Sequence, residues 1–333
     1  MTAGTLPSSR WLGGRRAGFC LLAAALALAL APEVATAQQA WPTDADSWLR
    51  LRNGPLQTYG AWAIGGVVVL LASFLFLRGR VRIEKGWAGR TIARFNGIER
   101  FGHWLLAVSF MALALTGLNG LYGERVLLPL VGSETFASIT AMARWLHRYV
   151  AFGFMAGLAL TFLLWLPHSL PSWRDVVWLL KGGGLFVRGS HTPAWKFNAG
   201  QKFIFWCVLL GGVVLSLTGL VMMFPSQTPL VAKTFAFVNM AGFKLPADLT
   251  TDQALQYAAA AHSLVALGLV VIVIAHIYIG TVGMQGAFSA MGTGQVDVNW
   301  AKEHHSLWAE REIQRMEEAA AAETNAARLA PAE

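Results

Sequence analysis

Beyond residue 58 the chain alternates between long apolar runs and short polar stretches. Five runs stand out: Tyr59–Leu77, Phe101–Leu121, Arg144–Leu166, Phe203–Phe224 and Tyr257–Val282. Each is near the ~20 residues a helix needs to cross ~30 Å of hydrocarbon. Lipid offers unpaired backbone groups no partner, so each run is expected to be a spanning helix. The pattern predicts an all-α membrane protein. A four-helix transmembrane bundle occupies residues 101–283, with spans at 101–121, 144–166, 203–224 and 257–282, and one extra N-terminal transmembrane helix precedes it at 59–77.

The N-terminal segment reads differently. Arg10, Arg15 and Arg16 precede an apolar stretch, Ala17–Ala31, which is followed by Ala35-Thr36-Ala37 before Gln38. Basic region, short apolar core and small-residue site are the order of a signal peptide, expected over residues 1–37; an uncleaved first helix is the other reading. Residues 38–58 then form a periplasmic segment. Loop charges bear on orientation separately. Arg78–Arg100 holds seven Lys/Arg, Pro167–Lys202 five and the stretch after Met284 four, against no more than two each in Gln38–Thr58, Tyr122–Ala143 and Pro225–Gln256. Basic loops stay on the cytoplasmic side. The expectation is a bacterial inner-membrane protein with a periplasmic mature N-terminus, a basic cytoplasmic loop at 78–100 and a cytoplasmic tail at 284–333. That tail is expected to be a helix that frays into an Ala/Glu-rich end.

Composition supports the membrane reading, since 55% hydrophobic and 13% charged residues are too apolar a mix for a soluble domain of this length. The net charge of +8 could suggest nucleic acid, but the basic residues sit between apolar runs, where they orient the chain. Lipid is therefore an expected partner and nucleic acid is not. No phosphate-binding glycine loop or catalytic triad is present. The two cysteines, Cys20 and Cys207, lie far apart in apolar stretches, so no Cys-x-x-Cys pair exists for zinc, an iron–sulfur cluster or covalent haem attachment. A metal in this chain must be held mainly by histidine. Gly153-x-x-x-Gly157 allows close helix approach, and ordinary packing accounts for it.

Four of the eight histidines, His103, His147, His262 and His276, lie in or at the mouths of apolar spans. An imidazole in hydrocarbon needs a partner, so each raises a functional question. His262 and His276 share one span, 14 residues apart, which is roughly 21 Å along the axis and about 40° short of four turns. They occupy one face at two depths. His103 opens an outward-running span on the cytoplasmic side, and His147 opens an inward-running span on the periplasmic side. Matching depths pair His147 with His262 and His103 with His276. Two stacked bis-histidine sites fit a di-haem cytochrome b bundle holding two heme b groups. Iron with both axial positions filled suits electron transfer rather than catalysis at the metal.

Arg100 and Arg144 each precede a histidine by three residues, on the same helix face, where they would pair with haem propionates or simply snorkel to the interface. Asn198, Gly200, Gln201 and Lys202 open the fourth span. Asn198 with Gln201 has the spacing of a helix-capping box. The same segment faces the mouth near His276, where a glycine permits close backbone approach and amides can bond a quinone carbonyl, and both roles can coexist. His168, His191 and the His304-His305 pair are weaker candidates, and tail packing or partner contact suits the last pair better than metal.

With these residues laid out, the chain resembles the gamma (cytochrome b556) subunit family of formate dehydrogenases. The matching pieces are Glu99-Arg-Phe-Gly-His103-Trp104, Arg144-Trp-Leu-His147, Phe197-Asn-Ala-Gly-Gln-Lys202-Phe203, Ala261-His262 with His276-Ile-Tyr278, and Trp300-Ala-Lys-Glu-His304-His305-Ser-Leu-Trp308, within Arg94 to Glu312. The resemblance implies a subunit joined to an iron–sulfur beta subunit and a molybdopterin-containing alpha subunit that oxidises formate. Electrons would enter at the His147/His262 haem and leave at the His103/His276 haem to menaquinone or ubiquinone near Asn198, Gly200 and Gln201. The leader and the extra span depart from the short form of that family. Histidines in apolar helices also occur in the cytochrome b subunits of nickel–iron hydrogenases and other molybdoenzymes, and a haem-free transporter or anchor is a further alternative.

Overall fold

The computed structural model describes residues 45–184, 192–225, 227 and 229–329. The expected signal peptide, the start of the 38–58 segment and His191 lie outside the described residues. The spans are α2 (Gln57–Arg78), α3 (Gly97–Val126), α4 (Ser133–Ser169), α6 (Ala199–Met223) and α8 (Thr251–Tyr278). Short α1 (Ala45–Leu51) runs into α2 through a π-turn at Arg52–Leu56 that accommodates Pro55, so 45–78 is continuous helix. α5 (Trp173–Leu180) precedes α6, and α7 (Leu230–Asn239) lies in the α6–α8 connection. The tail forms α9 (Val298–His304) and α10 (Ser306–Leu329).

Local chemistry accounts for the starts of the bundle helices. Asn96 and Glu99 open α3 with a reciprocal capping box, each side chain accepting the other residue's backbone N–H at 2.9 and 3.0 Å. Asn198 with Gln201 opens α6 in the same way, and Thr250 with Gln253 opens α8. α4 starts after Gly132, whose φ of +78° suits glycine. It runs for 37 residues, well past the apolar stretch 144–166, and carries Pro167 only in its last turn. Similarly, α7 occupies a connection that the charge pattern alone treats as loop.

α3 packs on α4, and α6 on α8. A Cβ placed on Gly157 of α4 would lie 2.8 Å from the backbone nitrogen of Leu106, so α3 and α4 cross almost backbone to backbone there. Leu106, Phe154 and Leu158 fill the seam, with Val208 and Leu209 of α6 against them. α2 lies against α8 and is tied to α3 at the end distant from the C-terminal tail. Gln57 Nε2 donates to the Leu121 carbonyl at 2.6 Å, and Tyr122 Oη donates to the Gln57 carbonyl at 3.1 Å. In the apolar stretches of the five spans only 6–22% of residues are buried within the chain. Helices this apolar and this uncovered are stable only where lipid meets their outer faces.

At the opposite end the two segments expected to be a basic loop and a tail fold together as a cap. Thr91–Ala93 (β1) pairs antiparallel with Gln295–Asp297 (β2), a departure from a purely helical chain. The extended backbone of these two segments satisfies its polar groups by this pairing. Ile83, Ile92, Phe95, Phe197, Val296 and Trp300 are among the residues of a water-excluding core beneath it. The Glu303 carboxylate accepts the N–H groups of Glu84 and Lys85, both at 3.0 Å, and Asp297 accepts that of Ala88 at 2.9 Å.

Candidate functional site

α8 carries two imidazoles, and each faces an imidazole from another helix. His276 meets His103 of α3 with ring centroids 6.3 Å apart, at the cap end. His262 meets His147 of α4 at 6.2 Å, further from the cap. Both pairs have interplanar angles of 58°. These separations are too long for a direct hydrogen bond. Two metal–imidazole bonds of about 2 Å, with roughly 1 Å from each nitrogen to its ring centre, span about 6 Å. Each pair therefore fits a planar metal macrocycle held between its rings.

The ring orientations have a cause at one pair. Thr116 Oγ1 of α3 lies 2.7 Å from His147 Nδ1, and Thr218 Oγ1 of α6 lies 2.9 Å from His262 Nδ1. Each hydroxyl donates to a carbonyl of its own helix, Ala112 at 2.8 Å and Val214 at 2.6 Å. Each oxygen is thus an acceptor for the imidazole N–H, which places the proton on Nδ1 and leaves the Nε2 lone pair for a metal. At the other pair, His103 Nδ1 is buried and has no hydrogen-bond partner among the described residues. The threonines were missed by reading histidines alone. The available signal was a hexapeptide that occurs twice, Leu113-Ala-Leu-Thr116-Gly-Leu118 and Leu215-Ser-Leu-Thr218-Gly-Leu220.

Arg144 is exposed one turn before His147. Arg100 is engaged differently: its Nε and Nη2 donate to the Met291 and Gly292 carbonyls, fastening α3 to the tail. Its Nη1 makes no hydrogen bond among the described residues. Asn198 and Gln201 direct their amide oxygens to each other's backbone N–H, at 3.0 and 3.2 Å. Their NH₂ groups make no hydrogen bond among the described residues and remain available as donors. A Cβ on Gly200 would approach the Trp178 ring to 3.0 Å. Lys202 bonds the Leu170 carbonyl and the Asp175 carboxylate, both at 2.9 Å. Burial raises the Asp175 carboxyl, but Lys202 and Ser172 outweigh it and hold the group below the ordinary carboxylate value.

An aromatic path joins this segment to the first histidine pair. Phe197, next to Asn198, packs on Trp165 at 5.4 Å, and Trp165 packs on His103 at 6.2 Å. Trp165 Nε1 donates to Glu99, which also pairs with Lys196. His168 is exposed beside Phe197.

His305 lies in the cap, 1% exposed, away from both histidine pairs. Its Nδ1 donates to the Trp195 carbonyl at 2.9 Å, and its Nε2 accepts from Arg94 at 3.0 Å. Arg94 is enclosed by the rings of Phe95, Trp300 and Trp308, at 4.9–5.3 Å. Desolvation first, then the Arg94 charge, hold the His305 imidazole well below its ordinary pKa of 6.5. Desolvation likewise pulls the Arg94 guanidinium down to about 9.

Five apolar spans, three of which carry two facing histidine pairs, define a multi-pass membrane protein of the cytochrome b kind. A family model described as prokaryotic cytochrome b561 matches residues 94–294, more than half of the chain. The chain belongs to that family. It is also similar to the formate dehydrogenase cytochrome b556(fdo) subunit of Escherichia coli (strain K12), 28% identical over 229 residues, covering 68% of this chain and 96% of that protein. The nitrate-inducible formate dehydrogenase cytochrome b556(Fdn) subunit of the same organism is 27% identical over 230 residues, covering 68% and 94%. The formate dehydrogenase cytochrome b556 subunit of Haemophilus influenzae is 28% identical over 227 residues, covering 67% and 84%.

Proposed function

We propose that this chain is the membrane electron-transfer subunit of a formate dehydrogenase, carrying electrons from formate oxidised on a partner subunit to a quinone. The observation that carries the reading is the pair of facing histidine couples at 6.3 and 6.2 Å, both completed by one face of α8. A heme b held between the two imidazoles of each couple would supply one-electron transfer rather than chemistry on oxygen or substrate.

His103 and His276 hold the group at the cap end, and His147 and His262 hold the other. Thr116 and Thr218 keep the second couple's rings turned inward. Arg144 and the remaining Nη1 of Arg100, each three residues before a histidine of a couple, would serve as the cationic partners of haem propionates. Asn198 and Gln201 offer amide donors to a quinone carbonyl while capping α6, with Gly200 letting the Trp178 ring pack close against the segment and Lys202 bracing it through Asp175. With the cap on the cytoplasmic side, a reading the basic loops support, electrons would enter at His147/His262 from the periplasm and leave at His103/His276. Each electron moved inward against the membrane potential stores about 2.3 kcal/mol per 100 mV. The partners are an iron–sulfur subunit and a molybdopterin-containing subunit, in the bacterial inner membrane.

Purification in mild detergent tests this. The expected product is a pigmented complex with two heme b per chain, reduced on adding formate and reoxidised by a quinone. A colourless protein would favour a transporter or anchor, and reduction by hydrogen but not formate would move it to a hydrogenase.

A further inference from the structure

The two histidine couples differ around their rings. At His147/His262 both Nδ1 atoms are hydrogen-bonded, to Thr116 at 2.7 Å and Thr218 at 2.9 Å. At His103/His276 the Nδ1 of His103 is buried and unpartnered, and no hydrogen bond to the His276 ring is found among the described residues. The difference is built by repetition. α3 and α6 carry the same Leu-x-Leu-Thr-Gly-Leu hexapeptide, at 113–118 and 215–220, and α6 carries no histidine of its own. In both copies the threonine accepts from the imidazole while its own hydroxyl proton goes to a carbonyl four residues earlier. In both, the next residue is a glycine beside the ring: a Cβ on Gly117 would lie 3.5 Å from His147 Cε1, and one on Gly219 would lie 3.8 Å from His262 Cε1.

An N–H···O bond on the outer nitrogen of a ligand imidazole makes the inner nitrogen a better donor to the metal. A better donor favours the ferric over the ferrous state, which lowers the reduction potential, and second-shell hydrogen bonding is one of the levers that tune haem. Among the described residues two such bonds act on one couple and none on the other.

We propose that Thr116 and Thr218 are positioning residues whose hydroxyls set the haem at His147/His262 to a lower reduction potential than the haem at His103/His276. The inference rests on the reading of both couples as haem sites. The asymmetry makes the step from the first site to the second downhill in intrinsic potential, in the direction that must oppose the membrane potential.

Redox potentiometry on the purified haem-loaded complex, followed by the optical spectrum, tests this with Thr116→Val and Thr218→Val, which keep the branched shape and remove the hydroxyl. Each is expected to raise the lower of the two midpoints by roughly tenfold in the oxidised-to-reduced ratio at fixed potential, about 59 mV for one electron. The double variant should add the two shifts, the upper midpoint should not move, and Thr116→Ser and Thr218→Ser should retain the original value. Two haems with unchanged midpoints in the valine variants, or equal shifts of both, would overturn the proposal while leaving the haem assignment intact. A wild-type protein without haem would overturn the assignment itself. Where valine prevents assembly, His147→Ala decides, since the one haem it keeps must titrate at the upper wild-type midpoint; a match to the lower one refutes the inference.

Discussion

In the membrane bundle, α3 and α4 touch through Gly157 against the Leu106 backbone, and histidine–threonine contacts join neighbouring helices. In the cap, backbone N–H groups of one segment end on carboxylates of another, and a guanidinium sits among three aromatic rings. The contrast follows from the solvent. Lipid competes with apolar packing but leaves buried polar groups no alternative partner, so the bundle relies on close fit and pairs its polar side chains across helices. Water competes with hydrogen bonds but drives apolar side chains together, so the cap has a core of its own and surrounds it with ion pairs and caps.

Variants can break that contrast, beginning with the largest effect. His276→Ala should remove the haem at the cap end and abolish quinone reduction, and His147→Ala should remove the other haem and electron entry. Pyridine haemochrome assays should read one haem per chain in each, and two haems at unchanged potentials would refute the pairing. Arg94→Ala removes the bond to His305, a second one from Nη2 to the Lys196 carbonyl at 2.6 Å and three ring contacts, about 2–4 kcal/mol in all. Its consequence should stay in the cap. Trypsin should cleave faster at Lys302 and Arg311 while the haem spectrum persists.

Gly157→Val should act the other way, disturbing the bundle and sparing the cap. Its Cβ meets backbone at 2.8 Å, so α3 and α4 must separate, at about 1–3 kcal/mol, read as a lower midpoint of thermal denaturation in detergent. Asn198→Ala lies at the boundary. It should keep both haems, lose about 1 kcal/mol of capping, and slow quinone turnover; unchanged quinone kinetics would leave Asn198 a capping role only.

The smallest effect is a pH dependence confined to the cap. His305 must be neutral to accept from Arg94, and its folded pKa lies below the unfolded value of 6.5. Its contribution is therefore fully present above about pH 6.5 and declines as pH falls toward the folded value. Tail protection in hydrogen exchange should weaken on acidification below pH 6.5, and His305→Gln should flatten that dependence.

Much of the site was legible because the signals are local. Four histidines in apolar runs, and the 14-residue spacing of His262 and His276, require only hydropathy and the helical repeat. Asn198 with Gln201 was legible as a capping box for the same reason. The engagement of Arg100 with the Met291 and Gly292 carbonyls was not, because that contact joins residues 191 and 192 positions apart. Neither was the merging of the 78–100 loop with the tail, where Glu84 and Glu303 meet across 219 positions.

By itself, then, the sequence determined the spans, their order and which residue types sit at which depth, because hydrophobicity and a 3.6-residue period act along the chain. The tertiary structure alone decided that Thr116 holds His147 across 31 residues and Thr218 holds His262 across 44, while His103 Nδ1 has no such bond among the described residues. Those contacts depend on how neighbouring helices rotate and cross, and packing between distant segments sets that rotation.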